Sequence, residues 1–149
     1  MKNYKEILKM AVENEVEAHD FYKDAASKTD NTVLKNTFEE LAGEEKKHKQ
    51  LLESYLEKNV DSMKFDETKD FHVAEGVEKQ KLTTEMNFKD AIALAMKKEQ
   101  GAMEMYQQFA DASEDDAQKQ TFQELVKMEQ GHKTRLEEIY TNAAFAEVW

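Results

Sequence analysis

Two short runs, Glu45-Lys46-Lys47-His48 and Glu129-Gln130-Gly131-His132, each set a carboxylate and an imidazole three residues apart. On a helix that spacing puts both groups on one face, an oxygen and a nitrogen turned toward a common centre. Two further carboxylates, Glu15 and Glu99, stand where the surrounding spacing calls for apolar side chains. Burying four carboxylates together is costly unless something cancels their charge. Four glutamates with two neutral histidines carry four negative charges, which two divalent cations neutralise. Oxygen-rich ligation with one imidazole per metal suits iron or manganese, and zinc can occupy such a site. The chemistry to expect is therefore that of a dinuclear metal centre, two ions per chain.

Four helices must position these six residues. Sliding the sequence against itself gives a match at an offset of 84, pairing Glu15 with Glu99, Tyr22 with Tyr106, Phe38 with Phe122, Glu45 with Glu129 and His48 with His132. The two halves read as copies of one helix–turn–helix unit. Each helix carries a stripe with alternating steps of three and four. The stripes are Leu8, Ala11, Glu15, Ala18, Tyr22; Phe38, Leu41, Glu45, His48, Leu52; Ile92, Ala95, Glu99, Ala102, Tyr106; and Phe122, Leu125, Glu129, His132, Leu136. Ala11, Ala18, Ala95 and Ala102 leave room for ions beside the glutamates. Asn3 with Glu6, and Asn87 with Asp90, have the form of helix N-caps. The spacing predicts helices from about Tyr4 to Ser27, up to Lys58, Phe88 to Ala112, and up to Thr141. Polar turns fall at residues 28–31 and 113–116.

The expected organisation is one domain over residues 1–149. A first hairpin spans 3–58, a connector 59–86, a second hairpin 87–141 and a tail 142–149. The connector's 28 residues scatter Phe65, Phe71 and Val77 among charges, with His72 expected at the surface. If helices 2 and 3 run the same way, the chain must travel a helix of ~26 residues, roughly 39 Å, and this connector is long enough. The predicted fold is thus all-α, an antiparallel four-helix bundle of ferritin-like topology with a long crossover between helices 2 and 3.

Composition agrees and excludes other classes. The chain has no proline and four glycines in 149 residues, which disfavours a sheet protein with many turns. The absence of cysteine removes disulfides, thiolate metal sites and thiol nucleophiles. A net charge of −11, from 21 basic and 32 acidic side chains, disfavours nucleic-acid binding. No apolar run approaches the ~20 residues of a membrane span, and the first ten residues lack the apolar core of a secretory signal. A cytoplasmic location with no membrane partner is expected.

The segments Glu15-Val16-Glu17-Ala18-His19-Asp20-Phe21-Tyr22, Glu45 to His48, Glu99 to Tyr106 and Glu129 to His132 resemble the rubrerythrin branch of the ferritin-like di-iron proteins. The resemblance covers both hairpins. It implies that Glu15, Glu45, His48, Glu99, Glu129 and His132 are the metal ligands. It also implies that the glutamates of the Glu-x-x-His pairs each bind or chelate one metal while the others bridge. Two departures stand out. Rubrerythrins usually carry a rubredoxin domain whose four cysteines hold an iron; this chain has none, so electrons would come from a separate donor protein such as a rubredoxin. Ala102 also occupies the place of an extra carboxylate on helix 3, which leaves a six-ligand set closer to bacterioferritin.

Several weaker candidates accompany the ligands. Tyr22 and Tyr106, two turns from Glu15 and Glu99, either act beside the metals or pack in the core with a satisfied hydroxyl. His19 falls off the stripe and is expected at the surface. Glu13, Glu17 and Glu104 read as acids near the site or as a solvated face. Met96, Met103, Met105 and Met128 read as core filler. The resemblance points to reduction of hydrogen peroxide or oxygen. Iron oxidation, storage or sensing is the alternative, with oxygenation of an organic substrate and a metal-stabilised scaffold behind it. A homodimer is expected, and the long connector would permit exchange of hairpins.

Overall fold

The computed structural model describes residues 4–59, 65, 80–142 and 149. Among them are four α-helices: α1 (Tyr4–Lys28), α2 (Thr32–Ser54), α3 (Phe88–Ala112) and α4 (Asp116–Thr141). A π-helical turn, Tyr55–Asn59, continues α2 to one residue beyond the expected end. The cap of α3 forms as the sequence predicts: Asn87 Oδ1 accepts from the Asp90 amide at 2.9 Å, and its side-chain amide donates to the Asp90 carboxylate at 2.8 Å. Asn31 caps α2 through the Leu34 amide at 3.1 Å, and Asp115 caps α4 through that of Gln118 at 2.9 Å. Each such cap contributes about 1 kcal/mol. The cap expected at Asn3 lies outside the described residues.

Short turns make each hairpin antiparallel, and side-chain reciprocity settles how the hairpins meet. Tyr22, late in α1, reaches Glu99, which precedes Tyr106 by two turns in α3, while Tyr106, late in α3, reaches Glu15, which precedes Tyr22 by two turns in α1. Helices α1 and α3 therefore run antiparallel. By the same logic His48 meets Glu129 and His132 meets Glu45, so α2 and α4 run antiparallel. It follows that α2 and α3 are parallel, and the chain between them must cross the length of the bundle. The described parts of the connector sit at opposite ends. Phe65 pairs its backbone with Ser113 and packs on Phe109 and Phe122. Thr84 instead donates to Asp24, near the end of α1. Phe71, His72 and Val77 lie outside the described residues.

The core is divided into two apolar blocks. One gathers Phe21, Leu34, Phe38, Leu41, Phe88, Ile92 and Leu136. The other gathers Leu8, Leu52, Met105, Phe109, Phe122 and Leu125. Trp149 closes the first, stacked edge-on against Phe88 and donating from its indole to the Met86 carbonyl at 3.0 Å. Residues 143–148 of the tail lie outside the described residues. No helix among the described residues is long and apolar enough to cross a membrane. Between the two apolar blocks lies a layer of charge.

Candidate metal centre

All six predicted ligands meet in that layer. Glu15 on α1, Glu45 and His48 on α2, Glu99 on α3, and Glu129 and His132 on α4 are each at most 3% exposed. Every one comes from the apolar stripe of its helix, so the packing that buries Phe38, Leu41, Leu52, Phe122 and Leu136 also carries the ionisable groups inward.

The geometry is that of donors converging on something between them. His48 Nδ1 lies 2.8 Å from Glu129 Oε1 and 3.7 Å from Glu15 Oε2. His132 Nδ1 lies 2.5 Å from Glu45 Oε1, 3.5 Å from Glu129 Oε1 and 3.7 Å from Glu99 Oε2. Close as these approaches are, the atoms involved make no hydrogen bond. Glu15 Oε2, Glu45 Oε1, Glu99 Oε2, Glu129 Oε1 and both histidine Nδ1 atoms are buried without a hydrogen-bonding partner, as are Gln108 Oε1 and Arg135 Nη1. Orphaned buried polar atoms are rare and costly. Here one from each of six side chains points into one layer, which is the arrangement ligand atoms adopt.

They divide into two overlapping sets. Glu15, Glu45, His48 and Glu129 have ligand atoms within 4.8 Å of one another, and so do Glu45, Glu99, Glu129 and His132. Glu45 and Glu129 belong to both sets, while Glu15 with His48 and Glu99 with His132 each belong to one. This membership differs from the division of labour that the resemblance implies: the glutamates of the Glu-x-x-His pairs stand in both sets, and Glu15 and Glu99 in one each. The reason is positional. Across the antiparallel α2–α4 pair Glu129 meets His48 and Glu45 meets His132, and the two histidine rings stack 5.8 Å apart.

The tyrosines engage one oxygen of each of Glu15 and Glu99. Tyr106 donates its hydroxyl to Glu15 Oε1 at 2.5 Å, and Tyr22 donates to Glu99 Oε1 at 2.7 Å. Each carboxylate is left with one free oxygen, and that oxygen is the orphaned one. Burial, followed by the neighbouring carboxylates, holds both phenols well above their ordinary value, so they remain proton donors. Replacing Tyr106 by phenylalanine strips a buried carboxylate oxygen of its donor. A loss of about 1–3 kcal/mol is expected, measured by denaturant unfolding of the metal-free protein.

Without cations the layer holds protons. Burial, then repulsion from the other carboxylates, pushes Glu45 and Glu129 well above the usual carboxylate range. Glu99 moves the other way: burial raises it, but the adjacent Glu129 and His132 and the hydroxyl donated by Tyr22 outweigh that. Burial opposes charging of His132, yet Glu99 and Glu44 hold its pKa above the ordinary value. The donor set of carboxylate oxygens and imidazole nitrogens fits a binuclear metal site.

Several residues around the centre escaped the sequence reading or changed role. Glu44 Oε2 lies 2.6 Å from His132 Nε2 on the side away from the cluster, and Arg135 approaches the other oxygen of Glu44 at 3.6 Å. Met128 is 39% exposed rather than core filler, with its sulfur 3.4 Å from His48 Nε2. A signal for both existed: each immediately precedes a ligand glutamate, and the repeat aligns them. Of the other methionines, Met105 is buried and Met96 and Met103 are half-buried. Glu17 pairs with Lys98 at 2.9 Å, whereas Glu13 and Glu104 are exposed. His19 is half-buried beside Asp20 and takes no part in the cluster.

Between α1 and α3, a cavity of ≈ 40 Å³ reaches the cluster, lined by Ala11, Ala18, Ala102, Gly101 and the Glu17–Lys98 pair among others. That is space for a few water-sized molecules, far below the roughly 300–1,000 Å³ of an ordinary organic-ligand pocket.

The family model described as Rubrerythrin matches residues 6–140 of the chain. Among solved structures, a hypothetical protein from Pyrococcus furiosus is similar at 26% identity and a TM-score of 0.67, over 93% of this chain and 88% of that one. No curated protein matches the chain.

Proposed function

The chain belongs to the rubrerythrin family, and on that premise we propose that it is a di-iron oxidoreductase reducing hydrogen peroxide, or oxygen, with electrons from a separate donor protein. The observation that supports this most is the pair of donor sets sharing Glu45 and Glu129 beside a cavity of ≈ 40 Å³. Two metals held side by side suit a two-electron reaction, and a cavity that small suits an oxidant of two heavy atoms better than an organic substrate. When bound, two ferrous ions supply one electron each, so that hydrogen peroxide and two protons become two waters with the O–O bond broken in one two-electron event.

The side chains prepare that event. Glu45 and Glu129 keep the two positions adjacent. Tyr106 and Tyr22 fix Glu15 and Glu99 as one-oxygen ligands and keep their own phenolic protons. His48 and His132 turn their Nδ1 atoms toward the layer, and the apolar blocks above and below exclude bulk water. The absence of cysteine from the sequence is the reason for assigning the electrons to another protein.

The test is to load the protein anaerobically with two Fe(II) per chain and mix it rapidly with peroxide or with oxygen. Much faster oxidation by peroxide supports the reductase reading. Oxidation at least as fast by oxygen, with further Fe(II) consumed, replaces it with iron oxidation.

A further inference from the structure

The two halves of the centre match in their ligands and differ one shell out. Glu15 and Glu99, Tyr22 and Tyr106, Glu45 and Glu129, and His48 and His132 are all repeat-equivalent pairs of like residues. The groups that meet the outer nitrogens of the histidines are also repeat-equivalent, but they are unlike. Glu44 stands at 2.6 Å from His132 Nε2, and Met128 at 3.4 Å from His48 Nε2. The supporting residue differs as well: Arg135 sits against Glu44, and the residue equivalent to Arg135 in the first repeat is Leu51.

These partners act differently on an imidazole. With its proton on Nε2, His132 donates to a carboxylate, which fixes the tautomer, orients the ring and makes the Nδ1 lone pair a better donor to a metal. A thioether is a weak acceptor and does each of these poorly. From this contrast, and resting on the binuclear reading above, we propose that the two metal positions are unequal. The position ligated by His132 and Glu99 fills first, the one ligated by His48 and Glu15 second, and Glu44 and Met128 are the positioning residues that set the order.

Loss of an outer partner of this kind typically weakens metal binding by ~10–100-fold. With one metal ion supplied per chain, that difference divides the ion between the positions at about 3:1 to 10:1. The experiment supplies one Co(II) per chain to crystals of the full chain and compares the anomalous peaks at the two positions. A parallel set with excess Co(II) establishes that both can be filled. The wild type is expected to favour the His132 position, and the double exchange E44M/M128E to favour the His48 position. Both sites of substitution are partly exposed (Glu44 at 29%, Met128 at 39%), and the helical circular dichroism of the variant checks that the fold is retained. An even division in the wild type, or a preference unmoved by the exchange, overturns the proposal while the binuclear reading stands. Failure of two cobalt ions to bind at excess overturns both.

Discussion

Alanine at Glu129 or Glu45 is expected to empty both metal positions, whereas alanine at Glu15 or Glu99 is expected to empty one. The difference follows from membership in the donor sets. Glu45 and Glu129 belong to both, so truncating either removes an oxygen from two ions and a negative charge that both require. Truncating Glu15 leaves the set of Glu45, Glu99, Glu129 and His132 whole. The affinity lost at the shared positions should exceed the roughly 10–100-fold that follows removal of an outer hydrogen-bonding partner. Metal counted per chain after equilibrium dialysis reads this directly: two for the wild type, one for Glu15→Ala, fewer than one for Glu129→Ala. Equal losses from all four variants would mean that the shared and terminal roles are wrongly divided.

Stripping the metal should lower the melting temperature substantially, and by more at neutral than at mildly acidic pH. Each ion bound at a free concentration about 100-fold above its dissociation constant stabilises the fold by about 2.7 kcal/mol. For a chain of this size that is about 2–4 °C per kcal/mol, so two ions are worth roughly 10–20 °C. The pH trend comes from Glu45 and Glu129, whose carboxyls burial raises well above their ordinary range. Between the unfolded and the raised folded pKa the metal-free fold holds more protons than the unfolded chain, so its stability declines as pH rises through that window. The lowered pKa of Glu99 works the other way on one carboxyl against two. The loaded protein has cations in place of those protons, and its ligands compete better as protons become scarce. Thermal melts of chelated and metal-loaded protein across that range should show the gap widening with pH. A gap that is absent, or that narrows, would contradict the account.

The legibility of this protein in its sequence has a physical pattern. Periodicity places residues on a face, and an offset of 84 held without insertion places the faces in register, so the helices, the crossover and all six converging side chains could be read from residue order. What periodicity omits is which helices face each other and at what depth. The tyrosines illustrate this: Tyr22 is two turns from Glu15 on its own helix, yet its hydroxyl goes to Glu99 across the α1–α3 pair. The shared roles of Glu45 and Glu129 depend on the α2–α4 pairing in the same way. Glu44 was missed, and Met128 read as core filler, because they sit beside the stripe rather than on it. Their relevance appears only once a neighbouring helix brings a histidine's outer nitrogen against them.

The most direct measurement is anomalous diffraction at the iron edge from crystals loaded anaerobically with two Fe(II) per chain. Two peaks are expected inside the bundle, about 3.5–4 Å apart as in other two-metal sites. One should be capped by Glu15 and His48 and the other by Glu99 and His132, with Glu45 and Glu129 between them. A single ion in the layer, or two ions that do not share Glu45 and Glu129, would contradict this arrangement.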